Sequence, residues 1–467
     1  MNRREFFIRT GGAAAAAALA GPRTLRAASP IIHDTLTLAA TGDCILTRPI
    51  SSLRDPRFLR LIEVLRGADC LYGNCEMVLA APDQGYPMVE GNALSVVSDP
   101  KIADDLSWCG FDVMGTANNH SLDYGVGGIV STRRALDRVG IGHAGTGLSL
   151  QEAAAPAYVE SAAGRVALVN CASTVHLYSA AYPSRPDFRG IPGANPVRVR
   201  HRIQLDRASF EALSRAATAM APLGPIGNPL VPGQNPAPKV SADQVSLYGN
   251  TFVPGPDVDV SSAIDAEDLA RITDAVKVAR RNARIVIVSI HAHEVYKSLE
   301  SPDKFLQPFA KACIDAGADA FFTAGTHVLE GIEIYRQRPI CYGLGDFFFQ
   351  YQTVRGYSSD VYEAFGLDAQ LPDPSQASDR IALPPGAALW QTIVPVITYG
   401  TSGPAKMVLY PVTLGVDEPR YQRGTPRLAE GAESEAIVTK VGQLSAVYGT
   451  RVSFADGLGT VSLPAPA

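Results

Sequence analysis

Several things are scarce in this sequence, and each scarcity removes a class of function. Its 41 lysines and arginines stand against 46 aspartates and glutamates, a formal net charge of -5. No basic run gathers the cations it has, so it lacks the positive field that collects phosphate backbones, and nucleic acid is not an expected partner. Cysteine is sparse: seven residues, an odd number, scattered without any Cys-x-x-Cys pair. Cys70, Cys171 and Cys341 sit in or beside apolar runs, where a buried free thiol is expected rather than a disulfide framework. A bilayer-spanning run of about 20 apolar residues is missing too. The Gly11–Ala20 tract is too short and too weakly apolar. There is no Gly-rich phosphate loop ending in Lys-Ser/Thr, no Gly-x-Ser-x-Gly elbow and no internal repeat. Without a side-chain nucleophile of those kinds, a hydrolytic reaction would use water.

What is present fits a soluble globular protein: 467 residues, 46% hydrophobic and 19% charged. The chain opens Met1-Asn2-Arg3-Arg4-Glu5-Phe6-Phe7-Ile8 and continues into the Gly/Ala tract, which resembles a twin-arginine export signal over residues 1–28. The expected location is therefore periplasmic or extracellular. That route carries folded proteins, often with a cofactor already bound.

Beyond the signal, apolar runs alternate with helix-like segments, the pattern of an α/β fold with covered sheets. Expected strands are Thr35–Thr41, Cys70–Asn74, Val113–Ala117, Val166–Ala172, Ile285–His291, Ala320–Ala324 and Ile340–Leu344. Expected helices are Arg57–Gly67, Pro100–Cys109, Val126–Val139, Ala266–Arg281 and Asp303–Ala316, with Gly67, Gly110, Gly140 and Gly317 as C-terminal caps. Between residues 179 and 262 Pro, Gly, Ser and Asn accumulate around one helical stretch, Ile203–Ala219, which reads as a long insertion over a main domain spanning 35–415. A second polar, turn-rich stretch covers Gln352–Pro385, and residues 416–467 are expected to pack on the same domain.

The chemistry collects where apolar strands stop, which is where α/β proteins hold ligands. One run ends in Thr41-Gly42-Asp43, whose carboxylate can reach a metal or simply form a turn or cap. A second ends in Gly73-Asn74-Cys75-Glu76, with Asn74 and Glu76 on one face if the backbone stays extended. The third, Ala117-Asn118-Asn119-His120-Ser121-Leu122-Asp123-Tyr124-Gly125, offers an amide oxygen for a metal, an imidazole for proton transfer and a carboxylate able to fix that imidazole's tautomer. The fourth ends His291-Ala292-His293-Glu294, and two histidines two apart on a strand project to one face about 6–7 Å apart. The fifth gives Gly325-Thr326-His327, followed by Gly345-Asp346, where Asp346 is either an acceptor behind a ligand or a turn residue.

These motifs, together with Gly193-Ala194-Asn195-Pro196, Ser289-Ile290-His291 and His327-Val328-Leu329, resemble in order the CapA family of poly-γ-glutamate or capsule-synthesis proteins, related to metallophosphoesterases. Leu444–Arg451 also looks like the family's C-terminal segment. The resemblance implies a four-layer α/β/β/α sandwich of the metallophosphoesterase (calcineurin-like) type. It implies Asp43, Glu76, Asn119, His291 and His327 as metal ligands and His120 as the acid for a leaving group, beside Asp123. Asn74, Asn118, Glu294 and Asp346 fall to supporting or substrate-facing positions. Oxygen donors with imidazoles suit Mn, Fe or Zn, one ion or two, and such an ion makes its bound water a usable nucleophile near neutral pH.

The chain departs from the family at two places. His291-Ala292-His293-Glu294 stands where His-Trp-Gly is usual, and Gly325-Thr326-His327 where His-Pro-His is usual. Either His293 makes good the histidine missing at Gly325, or one metal binds, or catalysis is lost. Two functions follow: a metal-dependent hydrolase of an anionic or peptide-like envelope polymer, or a non-catalytic accessory protein that binds the polymer or components of its synthase.

Overall fold

The computed structural model describes residues 34–88, 95–175, 177–224, 237–247, 249–354, 356–380 and 387–464. The export segment expected over residues 1–28 lies outside them.

Two sheets organise the described chain. The larger runs in the order Val452–Ala455, Leu458–Val461, Gly403–Thr413, Gln391–Gly400, Leu36–Ile45, Cys70–Asn74, Val113–Gly115, Gly142–Ala144. Asp346–Phe349 pairs with the far end of Leu36–Ile45, in parallel. From Leu36–Ile45 to Gly142–Ala144 the strands are parallel, and the Gln391–Thr413 hairpin joins them antiparallel. In the smaller sheet the order is Ile332–Tyr335, Arg338–Cys341, Ala320–Ala324, Ile285–His291, Gly164–Ala172, Ala157–Ser161. Its four inner strands are parallel. The functional strand ends of both sheets are thus C-terminal ends of parallel strands.

Side chains alternate between faces along a strand, and here both faces of both sheets are apolar. Leu36, Leu38 and Tyr72 of the larger sheet share one core with Leu168, Ile287 and Phe322 of the smaller, and the Tyr72 and Phe322 rings stack at 5.6 Å. One residue along, Ala39, Leu71 and Met114 turn the other way, to Phe58, Leu61, Leu106 and Leu136 of the helices Pro56–Arg66, Ile102–Cys109 and Gly125–Val139. Likewise Val169, Val288 and Phe321 face Ile272, Val276 and Phe309 of the helices Ala266–Asn282 and Leu306–Asp315. Each fully buried Leu, Ile or Phe contributes about 1.5–3 kcal/mol, so this double burial is why these strands read as unbroken apolar runs.

The expected strands Cys70–Asn74, Ile285–His291 and Ala320–Ala324 occur as expected, others have shifted ends, and some expectations fail. The strand expected at Ile340–Leu344 is Arg338–Cys341, because Leu344 leaves the sheet to bridge Leu329. The helix expected from Ile203 begins at Arg207. Ile203 and Leu205 belong to the strand Val199–Leu205, and the Asp206 carboxylate caps the helix by accepting from Ser209 N–H. That strand joins a five-stranded sheet with a small core of Phe210, Ala217 and Val245, so the insertion is more ordered than its composition suggests. Gly110 and Gly140 are left-handed C-caps, but Gly67 is right-handed, since a cap at φ -75° needs no glycine.

Candidate metal centre

Asp43 is delivered by an irregularity. The pairing of Leu36–Ile45 with Cys70–Asn74 shifts register between Ala40 and Asp43, and after Ala39 the strand exchanges Gln391–Gly400 for Asp346–Phe349 as its other partner. Asp43 N–H donates to the Gly345 carbonyl at 3.1 Å. The carboxylate is fully buried and accepts from the Asn74 amide at 2.6 Å and from Gly325 N–H at 2.8 Å.

Around it converge groups from both sheets. The Asn74 Nδ2 lies 3.1 Å from His291 Nδ1, which leaves His291 Nε2 to face Glu76 Oε1 at 3.6 Å and His293 Nε2 at 2.9 Å. His327 Nδ1 is 2.9 Å from Asp346, 3.7 Å from Asp43 and 3.9 Å from Glu76. His327 holds φ 60°, a conformation that turns its ring back toward the carboxylates rather than along the strand. Donor atoms of Asp43, Glu76, His327 and Asp346 lie within 4.8 Å of one another, as do those of Glu76, His293 and His327.

Unpaired atoms point the same way. Asn74 Oδ1, both Glu76 carboxylate oxygens, Asn119 Oδ1 and Asp346 Oδ2 are buried without a hydrogen-bond partner. A buried polar atom left unsatisfied costs about 1–3 kcal/mol, and a cation is the partner that several acceptors can share. The donor set, oxygens with imidazole nitrogens, suits Mn, Fe or Zn.

Charge is distributed accordingly. Burial would raise the Asp43 carboxyl, yet the hydrogen bond and charge of His291, with His327 and Asn74 behind them, hold it at about 2. Glu76, buried beside that anion, is pushed well above the usual carboxylate range, and burial lifts Asp346 to about 7. Burial works against a charged His327, but Asp346 and Glu76 outweigh it and carry its pKa well up. Burial drives His291 and His293 down, so both imidazoles are neutral and keep a lone pair to donate.

On the open side stands His120, its side chain 13% exposed against none for Glu76. Its Nδ1 is 2.7 Å from Asp123 Oδ2, which also accepts from Val96 N–H at 2.6 Å, and its Nε2 lies 3.9 Å from Glu76. Asn118 builds the turn itself: its amide donates to the Cys75 carbonyl and its oxygen accepts His120 N–H.

The sequence matches the family described as bacterial capsule synthesis protein PGA_cap over residues 37–351. The chain belongs to that family. Among relatives of this chain, the uncharacterized protein y4sH of Sinorhizobium fredii is 34% identical over 448 residues, 92% of this chain and 94% of its own. The capsule biosynthesis protein CapA of Bacillus anthracis is 24% identical, covering 72% of this chain and 66% of its own. The PGA biosynthesis protein CapA of Bacillus subtilis is 21% identical, with 71% and 67% covered. The matched region contains every site residue described above.

Within this PGA_cap chain, Asp43, Asn74, Glu76, His120, Asp123, His291, His293, His327 and Asp346 come together. Asn119 presents its unpaired oxygen from the same turn. Glu294 lies apart from the two donor groups, accepting from the Ser173 and Thr174 hydroxyls. Two supports escape motif reading. Thr174 Oγ1 accepts the His293 N–H at 2.8 Å, and Asn170 accepts the N–H groups of Thr116 and Ala117 while donating to Ser289 Oγ. Asn170 had one signal, a polar residue inside the otherwise apolar run Val166–Ala172.

Proposed function

We propose that this protein is an exported, metal-dependent hydrolase acting on a bond of a capsule-type or poly-γ-glutamate-type envelope polymer. One observation carries the reading: five buried oxygen atoms without hydrogen-bond partners, beside three imidazoles, from strand ends of two sheets. The succession of helices, sheet, sheet and helices around three cores supports the four-layer metallophosphoesterase-type sandwich. Asp43, Glu76, Asn119, His291 and His327 would hold one or two divalent ions. Such an ion supplies Lewis acidity and a lowered pKa for water.

The chain's own residues do the rest. Asp123 holds His120 through Nδ1, so Nε2 is the nitrogen that faces the pocket and delivers a proton to the departing group. Asn74 bridges Asp43 and His291 and keeps that carboxylate and that ring oriented. Depth excludes bulk water from Asp43, Glu76 and His291, while His120 and His327 remain reachable by a polymer chain. The N-terminal arginine pair supports export, and no helix among the described residues is long and apolar enough to cross a membrane.

Metal quantification on purified protein followed by phosphodiester and γ-glutamyl substrates tests this. His120→Ala is expected to slow turnover by about 10²–10⁴ with metal content intact. Absence of hydrolysis with every divalent metal would defeat the reading. In that case a second reading stands, in which the site binds a polymer or its synthase without cleaving. It is favoured by one observation, a Mycobacterium tuberculosis relative named a probable polyglutamine synthesis accessory protein, 33% identical over 21% of this chain, and by Gly325 standing where the resemblance implies histidine. Polymer affinity that survives His120→Ala is its expected result.

A further inference from the structure

Gly325 has φ 117°, and a Cβ built there would lie 2.7 Å from His293 Cδ2 and 2.7 Å from the Ala292 carbonyl oxygen. The volume a side chain at 325 would use is therefore already filled by the His293 ring and the Ala292 carbonyl. Backbone pairing enforces this proximity: Ala292 N–H donates to the Ala324 carbonyl at 2.8 Å, so the two strand ends run side by side up to the site. The His293 backbone N–H donates to Thr174 Oγ1, fixing the main chain at the strand end, and the ring's Nε2 comes to 2.9 Å from His291 Nε2.

We propose that Gly325 and His293 are a matched pair, in which the missing side chain at 325 admits the His293 imidazole and that imidazole gives its nitrogen to the cation shared with Glu76 and His327. The proposal rests on the metal-binding reading above and names the fourth imidazole-bearing position of that site among the described residues, after His120, His291 and His327. Three features support it independently of that reading's chemistry. Donor atoms of Glu76, His293 and His327 lie within 4.8 Å of one another. The His293 and His327 rings meet edge to face at 5.4 Å. The His291 and His293 Nε2 atoms lie 2.9 Å apart, so the second imidazole is part of the same cluster. Gly325 keeps a second duty that needs no side chain, donating its N–H to Asp43.

The test uses the full-length purified protein and Zn²⁺ or Mn²⁺ alone, with affinity by calorimetry and imidazole count by X-ray absorption at the zinc edge. Loss of a group that merely orients a ligand weakens binding about 10- to 100-fold, so His293→Ala is expected to weaken it by at least about 100-fold and to remove one imidazole from the absorption signal. Gly325→Ala should weaken binding more in the parent than in the His293→Ala background, where only the backbone strain at φ 117° and the approach to the Ala292 carbonyl remain. Should Gly325→Ala fail to fold, His293→Ala and His293→Gln alone decide the matter through the imidazole count. Unchanged affinity and count in His293→Ala, with Glu76→Gln abolishing binding, overturns the pairing and leaves the metal site standing. A parent protein that binds neither ion overturns both.

Discussion

At Gly42 the chain has no room for one more carbon. A Cβ there would sit 1.7 Å from the Gly345 carbonyl oxygen, on backbone that cannot swing away. This close approach is what lets Asp43 N–H reach the same carbonyl and lets Leu36–Ile45 change partners just before its carboxylate. Overpacking a filled interior costs about 1–3 kcal/mol and more where backbone must move. Gly42→Ala is therefore expected to lower unfolding free energy by at least about 3 kcal/mol, read by denaturant titration. A loss under about 1 kcal/mol would mean the two strands separate easily there. Thr41-Gly42-Asp43 was legible as a motif, but the reason for its glycine lies 303 residues away by contact with Gly345 and no local pattern reveals it.

Elements are tied together by buried polar residues that the apolar pattern hides. Asn170, in the Gly164–Ala172 strand, accepts two N–H groups from the turn entering Asn118-Asn119-His120 and donates to Ser289 on the neighbouring strand. Thr116 N–H keeps the Ala144 carbonyl at 2.8 Å, but Ala117 N–H would be left buried and unpaired, so Asn170→Ala should cost about 1–3 kcal/mol in the same titration. A different tie holds the root of the insertion: Asp268 accepts from Arg198 N–H and Nε, both at 2.8 Å, and also pairs with Arg271. Burial disfavours its charge, but the Arg198 and Arg271 hydrogen bonds outweigh it and hold its pKa below the ordinary 3.8. A depressed carboxylate stabilises the fold above its unfolded pKa and loses that contribution as pH falls through the folded value. Stability should therefore fall below about pH 4 in the parent and change less steeply in Asp268→Asn, as measured by thermal melts across pH. Both ties explain what was readable: Cys70–Asn74, Ile285–His291 and Ala320–Ala324 were found to the residue because both faces are apolar. The Gln391–Gly400 and Gly403–Thr413 hairpin was missed, since Pro395, Thr398 and Lys406 interrupt any run in it.

Across the whole molecule the proposed site is a seam. Asp43, Asn74, Glu76, Asn119 and Asp346 arrive with the larger sheet, His291, His293 and His327 with the smaller, and behind them the sheets are joined by a shared apolar core and a few hydrogen bonds such as those of Asn170. A cation gripped from both sides would add a link that exists only in the folded chain, so binding stabilises by about 2.7 kcal/mol at a hundredfold excess over Kd. Adding Mn²⁺ or Zn²⁺ to chelated protein is thus expected to raise the melting temperature by a few degrees. Glu76→Gln separates this from general salt effects. Neither Glu76 oxygen has a hydrogen-bond partner and its carboxyl is held well above the usual range, so a neutral amide should leave the chelated protein as stable as the parent, or more so, while erasing the metal-induced rise. An equal rise in both proteins would place the cation elsewhere, and the convergence of the strand ends would then need a purpose other than metal.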